Sequence, residues 1–100
     1  MQDRELYTGF IRLHILHHVA EGPVFGLWII EELARHGYKL SPGTLYPLLH
    51  SMEKKGYLKS RQKVSSGRKR RFYQITPAGQ KALEEAKGKV RELFGEMFDQ

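Results

Sequence analysis

"SPGTLYPLLHSMEKKGYLKSRQKVSSGRKRRFYQIT", Ser41 to Thr76, changes its periodicity halfway along, and that change decides the fold. Leu45, Leu48, Leu49 and Met52 recur at helical spacing as one apolar stripe, while Gly43, Tyr46, Pro47, His50 and Lys54 project from the other side. Beyond Gly56 the period drops to two. Leu58, Ser60, Gln62 and Val64 alternate with Lys59, Arg61 and Lys63, so one face of the strand is wholly cationic. "SSGRK" supplies a turn, and the returning "RRFYQI" offers Tyr73 and Ile75 to a core. A helix followed directly by a two-stranded hairpin with a basic tip is expected. Proline deep in a helix costs about 3 kcal/mol, so Pro47 should lie near the helix start. Two starts fit: Thr44 as N-cap with Pro47 in the first turn, or Ser41 as N-cap with Pro42 first and a distortion at Pro47.

Working outward, a first helix runs from Asp3 or Glu5 to Glu21 and stops at Gly22-Pro23. Leu6, Phe10, Leu13, Leu16 and Ala20 share one face; Ile11, Ile15 and Val19 form a second beside it. Together they wrap more than half the cylinder, so the second face is assigned to another subunit. A second helix spans Phe25 to His36, with Gly37 as the left-handed residue after it. Trp28 falls outside its apolar stripe. It is read either as a surface-covering residue or as the aromatic wall of a ligand or dimer contact. Thr76-Pro77 opens a last helix whose Leu83, Ala86, Val90, Leu93 and Met97 repeat at coiled-coil spacing, thickened by Phe94 and Phe98. About two heptads cannot stand alone, so this seam needs the body or a partner. Gly88 and Gly95 lie off the seam, where they permit close helix approach or loosen the end.

One hundred residues make one small domain, with a radius of gyration near ~13 Å if compact. Such a chain buries a modest core, which makes oligomerisation a natural supplement. There are no cysteines, and "FIRLHILHHVA" carries Arg12 and three histidines, so neither a signal peptide nor a membrane span is expected. A soluble cytoplasmic protein is the simplest reading. The net charge is +6, yet Ser51 to Ile75 alone carries Lys54, Lys55, Lys59, Arg61, Lys63, Arg68, Lys69, Arg70 and Arg71 against the single acid Glu53. The rest of the chain is therefore slightly acidic, and the asymmetry points to a polyanionic partner for one face.

A polar and aromatic helix face beside a basic hairpin fits duplex DNA, whose major groove admits a helix while the hairpin follows phosphates or the next minor groove. Thr44, Tyr46 and His50 are placed near base edges or adjacent phosphates, Lys54, Lys59, Arg61 and Lys63 supply mainly positioning charge, and Arg68 and Lys69 are the candidates for minor-groove insertion. The competing reading is a module whose basic face meets an acidic protein. His14 and His18, four apart, have the spacing of a zinc pair, but no acidic or cysteine third ligand is near in sequence, so no metal site is expected. His17 leans toward the apolar face. No catalytic arrangement or cofactor motif is present, so an enzyme is not expected.

With these residues in hand, the chain resembles the PadR family of winged helix-turn-helix transcription regulators. The resemblance rests on "PVFGLWIIEEL", "LSPGTLYPLLHSMEKKGYL" and "RRFYQITPAG" followed by "KAL", in that order from Pro23 to Leu83. It implies an α+β fold, mainly α, with a winged helix-turn-helix in residues 1–76 and a C-terminal dimerisation helix, residues 77–100, packed on the same domain. It also implies a homodimer on a pseudo-palindromic operator and usually repression relieved by an effector; the ligand reading of Trp28 makes a small aromatic compound the candidate effector. Double-stranded DNA would be held by Ser41, Pro42, Gly43, Thr44, Tyr46 and Pro47 and by the basic wing, Arg70 and Arg71 included. The dimer interface would use Leu6, Phe10, Ile11, Ile15, Val19, Leu83, Ala86, Val90, Leu93, Phe94, Met97 and Phe98. Trp28 stands where the family commonly has an acid, and Gln62 where an aromatic often sits in the first wing strand.

Overall fold

The computed structural model describes residues 3–98. The chain runs α1 (Arg4–Ala20), β1 (Val24–Phe25), α2 (Gly26–Arg35), α3 (Pro42–Lys54), β2 (Leu58–Ser65), β3 (Arg68–Ile75) and α4 (Pro77–Phe98). Local chemistry sets most boundaries. Asp3 caps α1 by accepting the Leu6 amide at 3.0 Å, and Gly37, at φ +89°, turns the chain after α2 in a conformation that side chains with a Cβ avoid. The Thr76 hydroxyl accepts the Gly79 amide at 3.0 Å at the head of α4 and donates to the Gly56 carbonyl, tying that helix to the end of α3.

The sheet has three strands rather than the expected two, in the order β1-β3-β2 and antiparallel throughout. Phe25, expected to open the second helix, instead pairs with Phe72 in β1, and Val24 pairs with Tyr73. Two residues are too few to display an alternating pattern, so this strand had no periodic signal to read.

The core joins Ile11, Ile15, Leu16 and Val19 of α1 to Ile29, Leu33, Leu45, Leu49 and Met52 of the next two helices, and to Leu58, Tyr73 and Leu83. This corrects the assignment of α1. Ile11, Ile15 and Val19, expected at a subunit interface, are no more than 2% exposed and belong to the protein's own core, whereas Leu6 is 63% exposed. Leu83 likewise leaves the interface set, because it is buried where α4 crosses the body. The width of an apolar arc shows that two surfaces need cover; it does not show which one the same chain covers. Ala86 is half-buried, and Val90, Leu93, Phe94, Met97 and Phe98 are exposed. Among the described residues Gly88 and Gly95 face open space.

The radius of gyration is 14.5 Å, with extents of 53 × 31 × 21 Å. That exceeds the ~13 Å of a compact chain this size because α4, at 1.5 Å per residue about 33 Å long, runs beyond the body. Ile15→Ala should therefore cost about 2–5 kcal/mol in denaturant unfolding, while Leu6→Ala should stay within about 0.5 kcal/mol for the monomer. Equal losses would reverse the assignment of the two α1 faces.

Candidate nucleic-acid interface

Of the two possible starts, α3 takes the earlier. Ser41 is the N-cap in extended conformation, Pro42 is the first helical residue, and the Thr44 and Leu45 amides both donate to the Ser41 carbonyl, at 3.0 and 2.9 Å. The Ser41 hydroxyl donates to Thr44 Oγ1 at 3.3 Å instead of capping an amide. Pro47 lies inside the helix and has no N–H for the Gly43 carbonyl one turn back. With Leu45, Leu49 and Met52 buried, the outward ridge is Gly43, Tyr46, Pro47, His50 and Lys54, all exposed. Ser41 and Pro42 are exposed at the helix start, and Thr44 is half-buried beside them.

Tyr46 is held rather than free. Its ring lies against Gly26, the first residue of α2, so closely that a Cβ there would stand 2.6 Å from the ring Cζ. Gly26 thus supports the ridge, a role the sequence reading missed; its signal was a glycine at a helix start, where flexible residues need a reason. The Tyr73 phenol lines the same region and is pushed up to about 12, first by burial and then by the neighbouring Glu53 and Tyr46, so it remains neutral.

The wing is regular. Its pairs run from Leu58↔Ile75 to Ser65↔Arg68, and Ser66 and Gly67, both at positive φ (52° and 76°), form the two-residue turn. Register decides where each charge points. Leu58, Ser60, Gln62 and Val64 share a face with Ile75, Tyr73, Arg71 and Lys69. That face looks toward α3, since the Ser60 hydroxyl donates to Glu53 Oε2 at 2.8 Å and accepts from Arg71 at 3.1 Å.

Lys59, Arg61 and Lys63 therefore stand on the opposite surface of the sheet, with Arg68, Arg70 and Phe72. There Lys63 lies 5.6 Å from the Phe72 ring, and the Arg70 guanidinium sits 4.4 Å over Phe25. The charges brought nearest the α3 ridge come from β3. Arg68, Lys69, Arg70 and Arg71 line a cleft of about 240 Å³ with Tyr46, Phe25, Gly26 and Leu27. Tyr46, His50 and Arg71 meet again in the neighbouring cleft.

The remaining singled-out residues lie elsewhere. Trp28 is half-buried, packs on the core and meets the His18 ring edge-on at 5.6 Å. The apolar cleft of about 510 Å³ between α1 and α4 is lined by Phe10, Leu13, Val90 and Phe94 among others, with both His14 and His17 in its wall, and does not include Trp28. His17 is exposed, whereas His14 and His18 are half-buried. His36 and Glu32 of the second helix region stand beside these two, a neighbourhood that spacing within α1 could not reveal. Burial, and then repulsion from His36, His18 and His17, holds the His14 pKa below its usual value.

Among the described residues, four helices, a three-stranded antiparallel sheet and a protruding basic hairpin after the third helix define a winged helix-turn-helix. Residues 15–85 match the Transcriptional regulator PadR-like family. The chain is 52% identical over 95 residues to Transcriptional regulator Rv3488 of Mycobacterium tuberculosis, covering 95% of this chain and 89% of that one. Among solved structures, a PadR-like transcriptional regulator from Bacillus cereus is 32% identical with a TM-score of 0.80, covering 96% of this chain and 98% of its own. A PadR family regulator from Eggerthella lenta is 30% identical with a TM-score of 0.78, covering 89% of this chain and 79% of its own. The chain belongs to the PadR-like family of transcriptional regulators, which are not enzymes. Both the fold and the family expected from the Pro23–Leu83 segments are borne out. Among the described residues no helix is long and apolar enough to cross a membrane.

Gly26→Ala should displace the Tyr46 ring and destabilise the protein by about 1–3 kcal/mol, the usual cost of overpacking. Denaturant unfolding checks the cost. A shift of the Tyr46 ring resonances without loss of the fold would confirm the displacement, and unchanged resonances would refute it.

Proposed function

We propose that this regulator is a sequence-specific double-stranded DNA-binding repressor that acts in the cytoplasm as a homodimer on a pseudo-palindromic operator. The observation that carries the reading is the adjacency of the exposed α3 ridge to the β3 cations, Tyr46 and Arg71 lining shared clefts. In this reading α3 enters the major groove, with Gly43, Thr44, Tyr46, Pro47 and His50 near base edges and Ser41, Pro42 and Lys54 by the backbone. Arg68 and Lys69 at the hairpin tip reach the adjoining minor groove, and Arg71 neutralises phosphate between the two. Lys59, Arg61 and Lys63, on the far side of the sheet, add longer-range attraction, and Arg70 holds Phe25 while contributing to the same field.

For the dimer, the support is apolar surface left bare: Leu6, Phe10, Val90, Leu93, Phe94, Met97 and Phe98 are all exposed in the single chain. Of residues 77–100, the described part, α4 (Pro77–Phe98), then serves as the pairing helix for the reading unit in residues 1–76, with Met1, Gln2, Asp99 and Gln100 outside the described residues. A partner laid on this surface would close the α1–α4 cleft, whose volume suits a small aromatic effector that relieves repression. Trp28 would report such a ligand through the core rather than touch it.

Selection of binding sites from random duplex DNA should enrich an inverted repeat; enrichment of nothing, together with tight anisotropy binding to an acidic polypeptide, would favour the protein-interaction module instead. If six to ten phosphates are contacted, affinity should fall by about 10³ to 10⁵ between 50 and 200 mM salt. Tyr46→Ala should weaken operator binding more than random-DNA binding, and Arg71→Ala should lower the salt slope by about one, more than Lys59→Ala does. Identical slopes for the two wing variants would remove the β3 side from the interface. Phe94→Asp should sediment as a folded monomer and bind the inverted repeat more weakly than the parent; a persistent dimer would show that pairing lies elsewhere.

A further inference from the structure

The proximity of α1 to the C-terminal end of α2 creates a cluster that neither helix holds alone. His14 and His18 project from α1, and His36, the residue that ends α2, stacks on His14 at a centroid separation of 4.8 Å. One ring nitrogen from each of these three histidines lies within 4.8 Å of those of the others. Glu32, one turn before His36, aims its carboxylate into the same space: Oε2 lies 3.0 Å from His36 Nε2 and 3.5 Å from His18 Nε2. Ligands of a tetrahedral zinc-type ion bound at about 2.0–2.1 Å stand roughly 3.3 Å from one another, so these two edges already have the right length. The 3.0 Å edge is a His36–Glu32 hydrogen bond whose proton the ion would displace, and the three imidazole nitrogens, now as much as 4.8 Å apart, would draw together around it.

Two further observations point to a ligand in that space. His18 Nε2 is buried and, although Glu32 Oε2 stands 3.5 Å away, it completes no hydrogen bond among the described residues, an expensive arrangement unless something else satisfies it. The other ring nitrogen of His18, Nδ1, faces Glu21 Oε1 at 3.6 Å. A histidine with a carboxylate behind one nitrogen and the second turned to a common point is the arrangement by which proteins orient an imidazole for a metal. Arg35 occupies the other Glu32 oxygen, Oε1, at 3.3 Å, which leaves Oε2 for the cluster. Imidazoles with one carboxylate suit zinc, cobalt or nickel, and not magnesium or calcium, which require oxygen ligands.

We propose that His14, His18, His36 and Glu32 form a binding site for one divalent transition-metal cation that fastens α1 to the end of α2. The assignment is independent of how the protein meets DNA. A second cluster, His17, His18 and Glu21, shares His18, but its outer members are exposed and Glu21 there acts from behind the ring.

The test uses the full-length, tag-free protein stripped with EDTA and no DNA. Isothermal titration with zinc chloride should show one ion per chain, cobalt or nickel should quench the single tryptophan, Trp28, whose ring lies 5.6 Å from His18, and saturating zinc should raise Tm by roughly 5 °C or more. His36→Ala should weaken zinc binding at least about 100-fold, and Glu21→Gln about 10- to 100-fold. The His36 side chain is 45% exposed and outside the core, so this variant should keep the parent's circular dichroism and a cooperative transition in EDTA, which separates lost ligation from lost folding. His17→Ala should bind as the parent does. No heat and no quenching in the parent, undiminished binding in His36→Ala, or loss of binding in His17→Ala would each overturn the proposal.

Discussion

Burial of Leu45, Leu49 and Met52 between the other helices and the sheet is the constraint on which the surface proposed to meet DNA depends. A helix of 3.6 residues per turn has no independent outer face: once that stripe is sealed inside, Tyr46, Pro47 and His50 must point outward. The same core reaches Leu58 and Tyr73, so the hairpin root is fixed in the same packing event. The Thr76 hydroxyl, bonded both to the Gly56 carbonyl and to the Gly79 amide, then carries that placement into α4. Ridge, wing and terminal helix are positioned by one core rather than by separate ones.

How much of this was legible in the sequence follows from what periodicity measures. The stripe of α3, the alternation of β2, the Thr76-Pro77 start and the Gly37 stop are local patterns, and the structure reproduces them. The identity of the covered half of α1 is not local. Ile11, Ile15 and Val19 and the bare Leu6 and Phe10 sit on neighbouring arcs of one apolar cylinder, and only the position of α2, α3 and α4 around it separates them. β1 escaped for a different reason: its two residues exist as a strand only because Phe72 and Tyr73 of β3 pair with them.

The interface was legible as a composition and only partly as a geometry. Nine basic residues between Ser51 and Ile75 announced a polyanion-facing surface, but strand alternation splits them across the sheet. Lys59, Arg61 and Lys63 looked like the matching side because they are consecutive on one strand face. The bonds from Ser60 to Glu53 and from Arg71 to Ser60 show that α3 lies against the other face. Gly26 was legible only as a glycine at a helix start; that Tyr46 is what it makes room for is a contact between two segments, which the pattern of neither one records. The histidine and carboxylate neighbourhood was half visible: His14 and His18 share a turn, whereas His36 and Glu32 arrive through the fold.

The unbulged ladder of the wing carries an evolutionary consequence. Because neighbouring residues of a strand alternate sides, a single residue inserted midway along β2 would exchange the surroundings of every side chain between it and the turn, moving Lys63 to the helix side and Val64 away from it. Two residues added in step, one to each strand at the turn, would lengthen the arm without disturbing what lies below. Length variation among descendants of this chain is thus confined by parity: the arm can grow outward in matched pairs, while odd insertions nearer the root would scramble which groups it presents.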